Sequence, residues 1–321
     1  LELGVDGFPV ISYYDSTNGD LREFKCNDSA CAPGGNTVAT LDSTGNVGRY
    51  SSLAIGTDGF PVISYRDDTN QDLKVVKCND AACAPGGETL TTLDSAGDVG
   101  LMSSLAIGAD GFPVISYRDA TNGDLKVVKC NDAACAPGGE IFTTVDSAGD
   151  VGQFTSLAVG SDGFPVISYY DNSNGDLKVA KCNNATCSSV TLTTVDSAGD
   201  VGAHTSLAIG TDTFPVISYY DQTNANLKVV KCNDAACVPG GEISATVDSA
   251  GNVGDFTSLA VGSDGFPVIS YRDSTNGDLK VVKCDDAACV GGEIQTTVDS
   301  TGNVGYYTSL ALGADGFPVI S

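Results

Sequence analysis

The sequence predicts an all-β propeller of four-stranded antiparallel blades, on three observations. The segment Phe-Pro-Val-Ile-Ser recurs with its proline at Pro9, Pro61, Pro113, Pro165, Pro215, Pro267 and Pro318, at spacings of 52, 52, 52, 50, 52 and 51 residues. A fixed period in this range belongs to solenoids, propellers or arrays. Each period holds four short runs rich in Val, Ile, Leu, Thr and Tyr, bounded by Gly, Asp, Asn or Pro, which are strand and turn signals. No window carries the three-and-four apolar spacing of a helix.

The second repeat gives the elements in order. Strand a is Ser52-Leu-Ala-Ile-Gly, whose small residues suit a crowded inner position. Asp58-Gly59 turns the chain into strand b, Pro61-Val-Ile-Ser-Tyr-Arg-Asp67, which has bulky residues on both faces, as expected between neighbouring blades. A tight turn leads to strand c, Asp72-Leu-Lys-Val-Val-Lys-Cys78. In other copies that turn is Asn18-Gly19, Asn122-Gly123, Asn174-Gly175 or Asn276-Gly277, the dipeptide of two-residue hairpins. A Cys-bounded loop then reaches strand d, Glu88-Thr-Leu-Thr-Thr-Leu-Asp94. Four strands in about 50 residues is one blade, and a lone blade buries neither face, so stacked copies must cover one another.

The expected organisation is a single propeller domain over 1–321. Its repeats run about 1–52, 53–104, 105–156, 157–206, 207–258 and 259–309, with a partial seventh at 310–321. Residues 1–12 and 310–321 correspond, so both terminal hairpins would claim one place in a six-bladed ring. Three outcomes are open: more blades with part of the last missing, a final hairpin that pairs elsewhere, or a longer array. The absence of Met at Leu1 suggests a removed leader or a segment of a longer chain.

The run Leu-Ala-Ile-Gly-Thr-Asp-Gly-Phe-Pro-Val-Ile-Ser-Tyr-Arg-Asp, then an Asn-containing turn and an apolar strand, resembles the repeat of NHL and YWTD-type propellers. The resemblance spans the whole chain as a pattern of strands and turns. The YWTD tetrapeptide is absent, as is the Asp-box of sialidase-type propellers, which needs a tryptophan this chain lacks. What the resemblance implies is therefore the fold, with no catalytic residues.

Composition narrows the partners. The net charge of −25 argues against nucleic acid, whose phosphates need Lys and Arg, and against anionic membranes. No apolar run is long enough to span a bilayer. The expected partner is a glycan or protein surface, with self-association through the terminal hairpins as a further expectation.

Twelve cysteines form six pairs of constant spacing: Cys26/Cys31, Cys78/Cys83, Cys130/Cys135, Cys182/Cys187, Cys232/Cys237 and Cys284/Cys289. Zinc would want four Cys or His ligands, and His204 is the only histidine. Disulfides within the loop that joins strands c and d are expected, and with them an oxidising, extracellular or cell-surface location.

Candidate chemistry lies in two loops. Asp15-Ser-Thr-Asn-Gly-Asp20 alternates oxygen donors like half a calcium loop, with counterparts at Asp67/Asp72 and Asp119/Asp124. A plain hairpin explains the same residues, and the fifth copy, Asp221-Gln-Thr-Asn-Ala-Asn226, lacks the glycine and second aspartate. No cofactor is expected beyond this calcium candidate. The second loop joins strand d to the next strand a. After a constant Val-Gly it varies freely: Arg49-Tyr50, Leu101-Met102, Gln153-Phe154, Ala203-His204, Asp255-Phe256 and Tyr306-Tyr307. Loops on a rigid scaffold carry binding residues, and aromatic rings suit sugars or protein partners. The candidate ligand-binding set is therefore Arg49, Tyr50, Met102, Phe154, His204, Phe256 and Tyr307. A second variable position is Tyr14, Arg66, Arg118, Tyr170, Tyr220 and Arg272, on or just after strand b; its arginines, paired with nearby Asp, are expected to be structural.

No catalytic constellation stands out. The function expected from sequence is a non-enzymatic extracellular binding or adhesion module. The alternative is a structural subunit of a filament or surface layer. A secreted hydrolase or lyase is the third reading, since the abundant carboxylates leave a glycosidase pair open.

Overall fold

A computed structural model describes all of residues 1–321. The chain is all-β, a β-propeller of six four-stranded antiparallel blades and a final hairpin. Two compact units divide it: residues 1–152 with 184–189, and residues 153–183 with 190–321.

The first unit holds three blades. Blade 1 is β1 (Glu2–Leu3), β2 (Pro9–Asp15), β3 (Asp20–Lys25) and β4 (Thr37–Asp42). Blade 2 is β5 (Val47–Ile55), β6 (Pro61–Asp67), β7 (Asp72–Lys77) and β8 (Thr89–Asp94). Blade 3 is β9 (Leu101–Ile107), β10 (Pro113–Asp119), β11 (Asp124–Lys129) and β12 (Ile141–Asp146).

The second unit holds the rest. Blade 4 is β13 (Gln153–Val159), β14 (Pro165–Asp171), β15 (Asp176–Cys182) and β16 (Val190–Asp196). Blade 5 is β17 (Val201–Ile209), β18 (Pro215–Asp221), β19 (Asn226–Lys231) and β20 (Ile243–Asp248). Blade 6 is β21 (Val253–Val261), β22 (Pro267–Asp273), β23 (Asp278–Lys283) and β24 (Ile294–Asp299). The final hairpin is β25 (Leu310–Leu312) and β26 (Pro318–Ile320). Within each blade the strands pair in chain order, a to d.

The core lies between blades. Val47, Leu53, Ile63, Tyr65 and Val76 of blade 2 pack on Val10, Leu21 and Leu41 of blade 1. Val253, Leu259, Ile269 and Tyr271 of blade 6 meet Val216, Leu227 and Val229 of blade 5 in the same way. The tyrosine at the centre of strand b is wholly buried at Tyr65, Tyr117, Tyr169, Tyr219 and Tyr271. Four seams also carry polar bonds. The b-strand tyrosine and a c-strand lysine converge on the last aspartate of the preceding d strand: Tyr65 and Lys74 on Asp42, Tyr117 and Lys126 on Asp94, Tyr219 and Lys228 on Asp196, Tyr271 and Lys280 on Asp248.

The final hairpin docks on blade 6 as any blade docks on its predecessor. Leu310 N donates to Ser258 Oγ at 3.0 Å, as Leu259 N does to Ser206 Oγ. Leu310, Leu312 and Ile320 pack on Val268 and Val281. No helix is long and apolar enough to cross a membrane.

All twelve cysteines are disulfide-bonded, as their spacing predicts. Cys26 bonds Cys31, Cys78 bonds Cys83, Cys130 bonds Cys135, Cys232 bonds Cys237 and Cys284 bonds Cys289. Cys182 and Cys187 are each disulfide-bonded as well. The bonds lie in the loop between strands c and d, as expected, with one exception. Cys182 is the last residue of β15 and pairs with Val190 of β16, so it belongs to the ladder. The second cysteine of each pair sits in a tight turn with left-handed backbone: Cys31 at φ 50° and Cys187 at φ 54°. Their N–H groups donate to the carbonyls of Asp28 and Asn184, three residues earlier, which closes the turn. The two sites differ in cover, since Cys187 is buried and Cys31 only half-buried.

Candidate functional site

The variable dipeptide is the seat of a β-bulge. Arg49 pairs with Arg66 and Ser52 with Ser64, leaving Tyr50 and Ser51 opposite Tyr65 alone. The same shift recurs at Met102, Phe154, His204 and Phe256. Each bulged residue sits in the left-handed region: Tyr50 at φ 53°, Met102 at 52°, Phe154 at 53°, His204 at 52° and Phe256 at 53°; Tyr307, in the turn before β25, shares it at 53°. L-residues with a Cβ pay for this conformation, so the surrounding ladder must impose it. The preceding glycine is imposed by packing: a Cβ on Gly48 would lie 2.7 Å from Leu21 Cα of the neighbouring blade.

Hydrogen bonds from the next blade hold the bulge. Ser103 Oγ donates to the Tyr50 carbonyl at 3.0 Å, Thr257 Oγ1 to the His204 carbonyl at 3.1 Å, and Thr308 Oγ1 to the Phe256 carbonyl at 2.9 Å. The second variable position clasps the same loop. Tyr14 and Tyr220 donate to Asn46 and Asn252, and Tyr170 donates to Asp200 at 2.6 Å. Arg66, Arg118 and Arg272 bind Asp98, Asp150 and Asn303. Arg66 and Arg118 thus pair with aspartates, as expected of the arginines, whereas Arg272 meets an asparagine.

In the second unit the bulged side chains and Tyr307 form one row. Ring centroids lie 4.2 Å apart for Phe154 and His204, 4.4 Å for His204 and Phe256, and 4.6 Å for Phe256 and Tyr307. The rings are tilted by 48° to 56°, the geometry that aromatic quadrupoles favour over face-to-face stacking. Tyr307 is 76% exposed and ends the row.

One carboxylate stands against this row. Asp255 Oδ1 lies 3.9 Å from His204 Nε2, and Ser274 Oγ donates to Asp255 Oδ2 at 2.5 Å. Burial between two phenylalanine rings pushes the His204 imidazole down to about 4, against the opposing pull of Asp255. His204 is therefore neutral at pH 7 and unable to act as a cationic donor. Burial, then the charge of Asp255, raises the nearby Tyr220 hydroxyl. An oriented carboxylate, a neutral imidazole and apolar ring faces make an arrangement suited to holding a sugar and activating water beside it.

The first unit differs. Arg49 pairs with Asp68 at 3.2 Å and lies over the Tyr14 ring, and Tyr50 is 37% exposed. Sequence reasoning proposed Arg49, Tyr50, Met102, Phe154, His204, Phe256 and Tyr307 as one set; the structure brings Phe154, His204, Phe256 and Tyr307 into one row. It missed Asp255 and Ser274. Their signal was present: Asp255 is the one acid at the first dipeptide position, and Ser274 stands where Asp68 stands in the second repeat.

The calcium candidates are hairpin caps. Asp15 Oδ1 accepts from Thr17 N and Asn18 N, and Oδ2 from Asn18 Nδ2. Asp67 repeats this with Thr69 and Asn70, and Asp119 with Asn122. Asp20, Asp72 and Asp124 pair across the ladder with Asp15, Asp67 and Asp119. Burial, then the neighbouring Asp67, raises the carboxyl of Asp72. Glu23, Cys78 and Cys83 also converge, but both sulfurs are spent in a disulfide.

No protein-family model matches the chain, and no curated protein matches it. Solved structures do. An α-L-arabinofuranosidase of Fusarium graminearum, solved with an iminosugar inhibitor, superposes with a TM-score of 0.55 at 12% identity, covering 83% of this chain and 84% of that one. A sialidase described as Hadza microbial matches with a TM-score of 0.56 at 12% identity, over 91% of this chain and 68% of that one. The dihydro-heme d1 dehydrogenase NirN matches with a TM-score of 0.55 at 12% identity, over 94% and 57%. At this identity the likeness shows the fold. It also corrects the expectation of a non-enzymatic binding or adhesion module, and of no enzyme: the neighbours are mostly glycoside hydrolases and other enzymes.

Proposed function

We propose that the chain is a secreted hydrolase of glycosidic bonds. The observation that carries this reading is the Asp255 carboxylate, oriented by Ser274 and set against the aromatic row. Glycoside hydrolysis needs a carboxylate to activate water or to attack the sugar and an acid to protonate the leaving oxygen; Asp255 takes the first role, and solvent supplies the leaving group's proton. Neutral His204 sits beside it as a hydrogen-bond partner, and the faces of Phe154, Phe256 and Tyr307 receive the apolar side of a sugar ring. Six local disulfides support an extracellular location.

The test is release of reducing sugar from a panel of plant polysaccharides, sialosides and aryl glycosides. Wild-type protein should hydrolyse at least one member, and the Asp255→Asn variant should not. No turnover on any member would refute the reading.

A further inference from the structure

A valine of strand c packs against the next blade's disulfide at seam after seam. Val75 meets Cys130 and Cys135, Val179 meets Cys232 and Cys237, and Val229 meets Cys284 and Cys289. At the seam between blades 1 and 2 the equivalent residue is Glu23. It is only 1% exposed, and its Oε1 is buried with no hydrogen-bond partner.

The surroundings do not compensate a charge there. Glu23 Oε2 lies 3.8 Å from Cys78 Sγ. A disulfide sulfur has no proton to give, so this contact becomes a hydrogen bond only when the carboxyl itself carries the proton. Two charged groups act on Glu23. Lys25, on the same strand, is held by Asp6 at 2.8 Å and by the carbonyls of Phe8 and Cys26. Asp80, in the Cys loop of blade 2, repels a second negative charge. A buried carboxylate without a counter-ion costs far more than a protonated carboxyl, so the packed seam selects the neutral form.

We propose that Glu23 makes the seam between blades 1 and 2 alkali-sensitive: its carboxyl is neutral in the packed seam, and its ionisation loosens the seam and exposes the Cys78–Cys83 disulfide. The valine seams lack the group and lack the response. Burial, then Asp80, pushes the Glu23 carboxyl up to about 8, against the pull of Lys25. The sign follows from proton uptake. Between about pH 4.5 and pH 8 the unfolded chain has released this proton and the folded chain keeps it, so stability falls as pH rises and then levels off. Above about pH 8 the folded seam itself bears the charge.

The test is the rate at which dithiothreitol reduces each disulfide in the intact, folded chain at pH 7 and pH 9, mapped by mass spectrometry. The ratio of the Cys78–Cys83 rate to the mean of the other pairs cancels the rise in reductant thiolate. In wild-type protein this ratio should grow about tenfold, following the ionised fraction of a group titrating near pH 8. In Glu23→Gln and Glu23→Val it should stay flat. Glu23→Val restores the repeat's own residue and so keeps the test interpretable should the amide variant misfold. Its melting temperature should exceed that of wild type by a margin that widens from pH 5 to pH 8. A flat wild-type ratio, or growth that persists without the carboxyl, overturns the proposal.

Discussion

Tyr65 donates its hydroxyl proton to Asp42 Oδ2 across the seam between the first two blades, at 2.8 Å, and Lys74 reaches the same oxygen at 2.5 Å. The tyrosine is completely buried and lies under the lysine ammonium. The bond joins the last residue of one blade's outer strand to the centre of the next blade's second strand. It ties local hairpins into a stack.

Removing that hydroxyl should weaken the seam without emptying it. Tyr65→Phe keeps the ring and leaves Asp42 with Lys74, so a loss of about 1–2 kcal/mol is expected. Asp42→Ala removes the hydrogen-bonded counter-charge of Lys74 and should cost about 3–5 kcal/mol. Guanidinium unfolding of both variants measures the order. Equal losses, or none for Tyr65→Phe, would contradict the seam's account.

The same aspartates predict acid lability. Burial alone would raise Asp42, Asp94, Asp196 and Asp248, but hydrogen bonds from Lys and Tyr outweigh it and hold all four below the usual carboxylate range. A folded value below the unfolded one contributes stability above the unfolded value, about pH 4, that is lost as pH falls through the lower folded value. Thermal melts should therefore fall steeply below about pH 4, and a variant with Asp42→Asn and Lys74→Met should show a shallower slope.

At the bulge, backbone strain separates two substitutions of similar size. Tyr50→Asn and Tyr50→Val both lose the ring, but asparagine tolerates φ 53° and a β-branched residue does not. The valine variant should be less stable by about 1–2 kcal/mol, read from unfolding midpoints. Equal midpoints would mean that the bulge relaxes at no cost.

Each disulfide closes a short loop. Replacing Cys130 and Cys135 by alanine should cost about 2 kcal/mol from loop entropy and leave the blade assembled, as far-ultraviolet circular dichroism would report.

The blade was legible because its signals are local. Asp-Gly and Asn-Gly turns, β-branched runs and a regular period decide where strands start and stop without reference to distant residues. The cysteine pairing was legible for the same reason, although the left-handed turn at Cys31 and Cys187 was not, because no glycine marks it. The bulge was hidden too: the variability of the Tyr50 and His204 positions hinted at a loop, whereas they lie within β5 and β17 in a left-handed conformation set by the neighbouring blade. The Phe154–His204–Phe256–Tyr307 row depends on how consecutive repeats stack, at distances that no single repeat encodes. Asp255 became visible only when the row placed it beside His204. Its singularity, one acid among Arg, Leu, Gln, Ala and Tyr, carried the hint. Glu23 was similarly overlooked, because its strand-c repeat-mates are all valine and its burial comes from the next blade's disulfide.

The central claim is that Asp255 performs chemistry on a bound sugar. The direct measurement is turnover and binding of the best glycoside substrate by wild type, Asp255→Asn and Phe154→Ala. The account predicts that Asp255→Asn loses turnover by a factor of about 100 or more while substrate still binds, and that Phe154→Ala chiefly weakens binding. Full turnover by Asp255→Asn would contradict it.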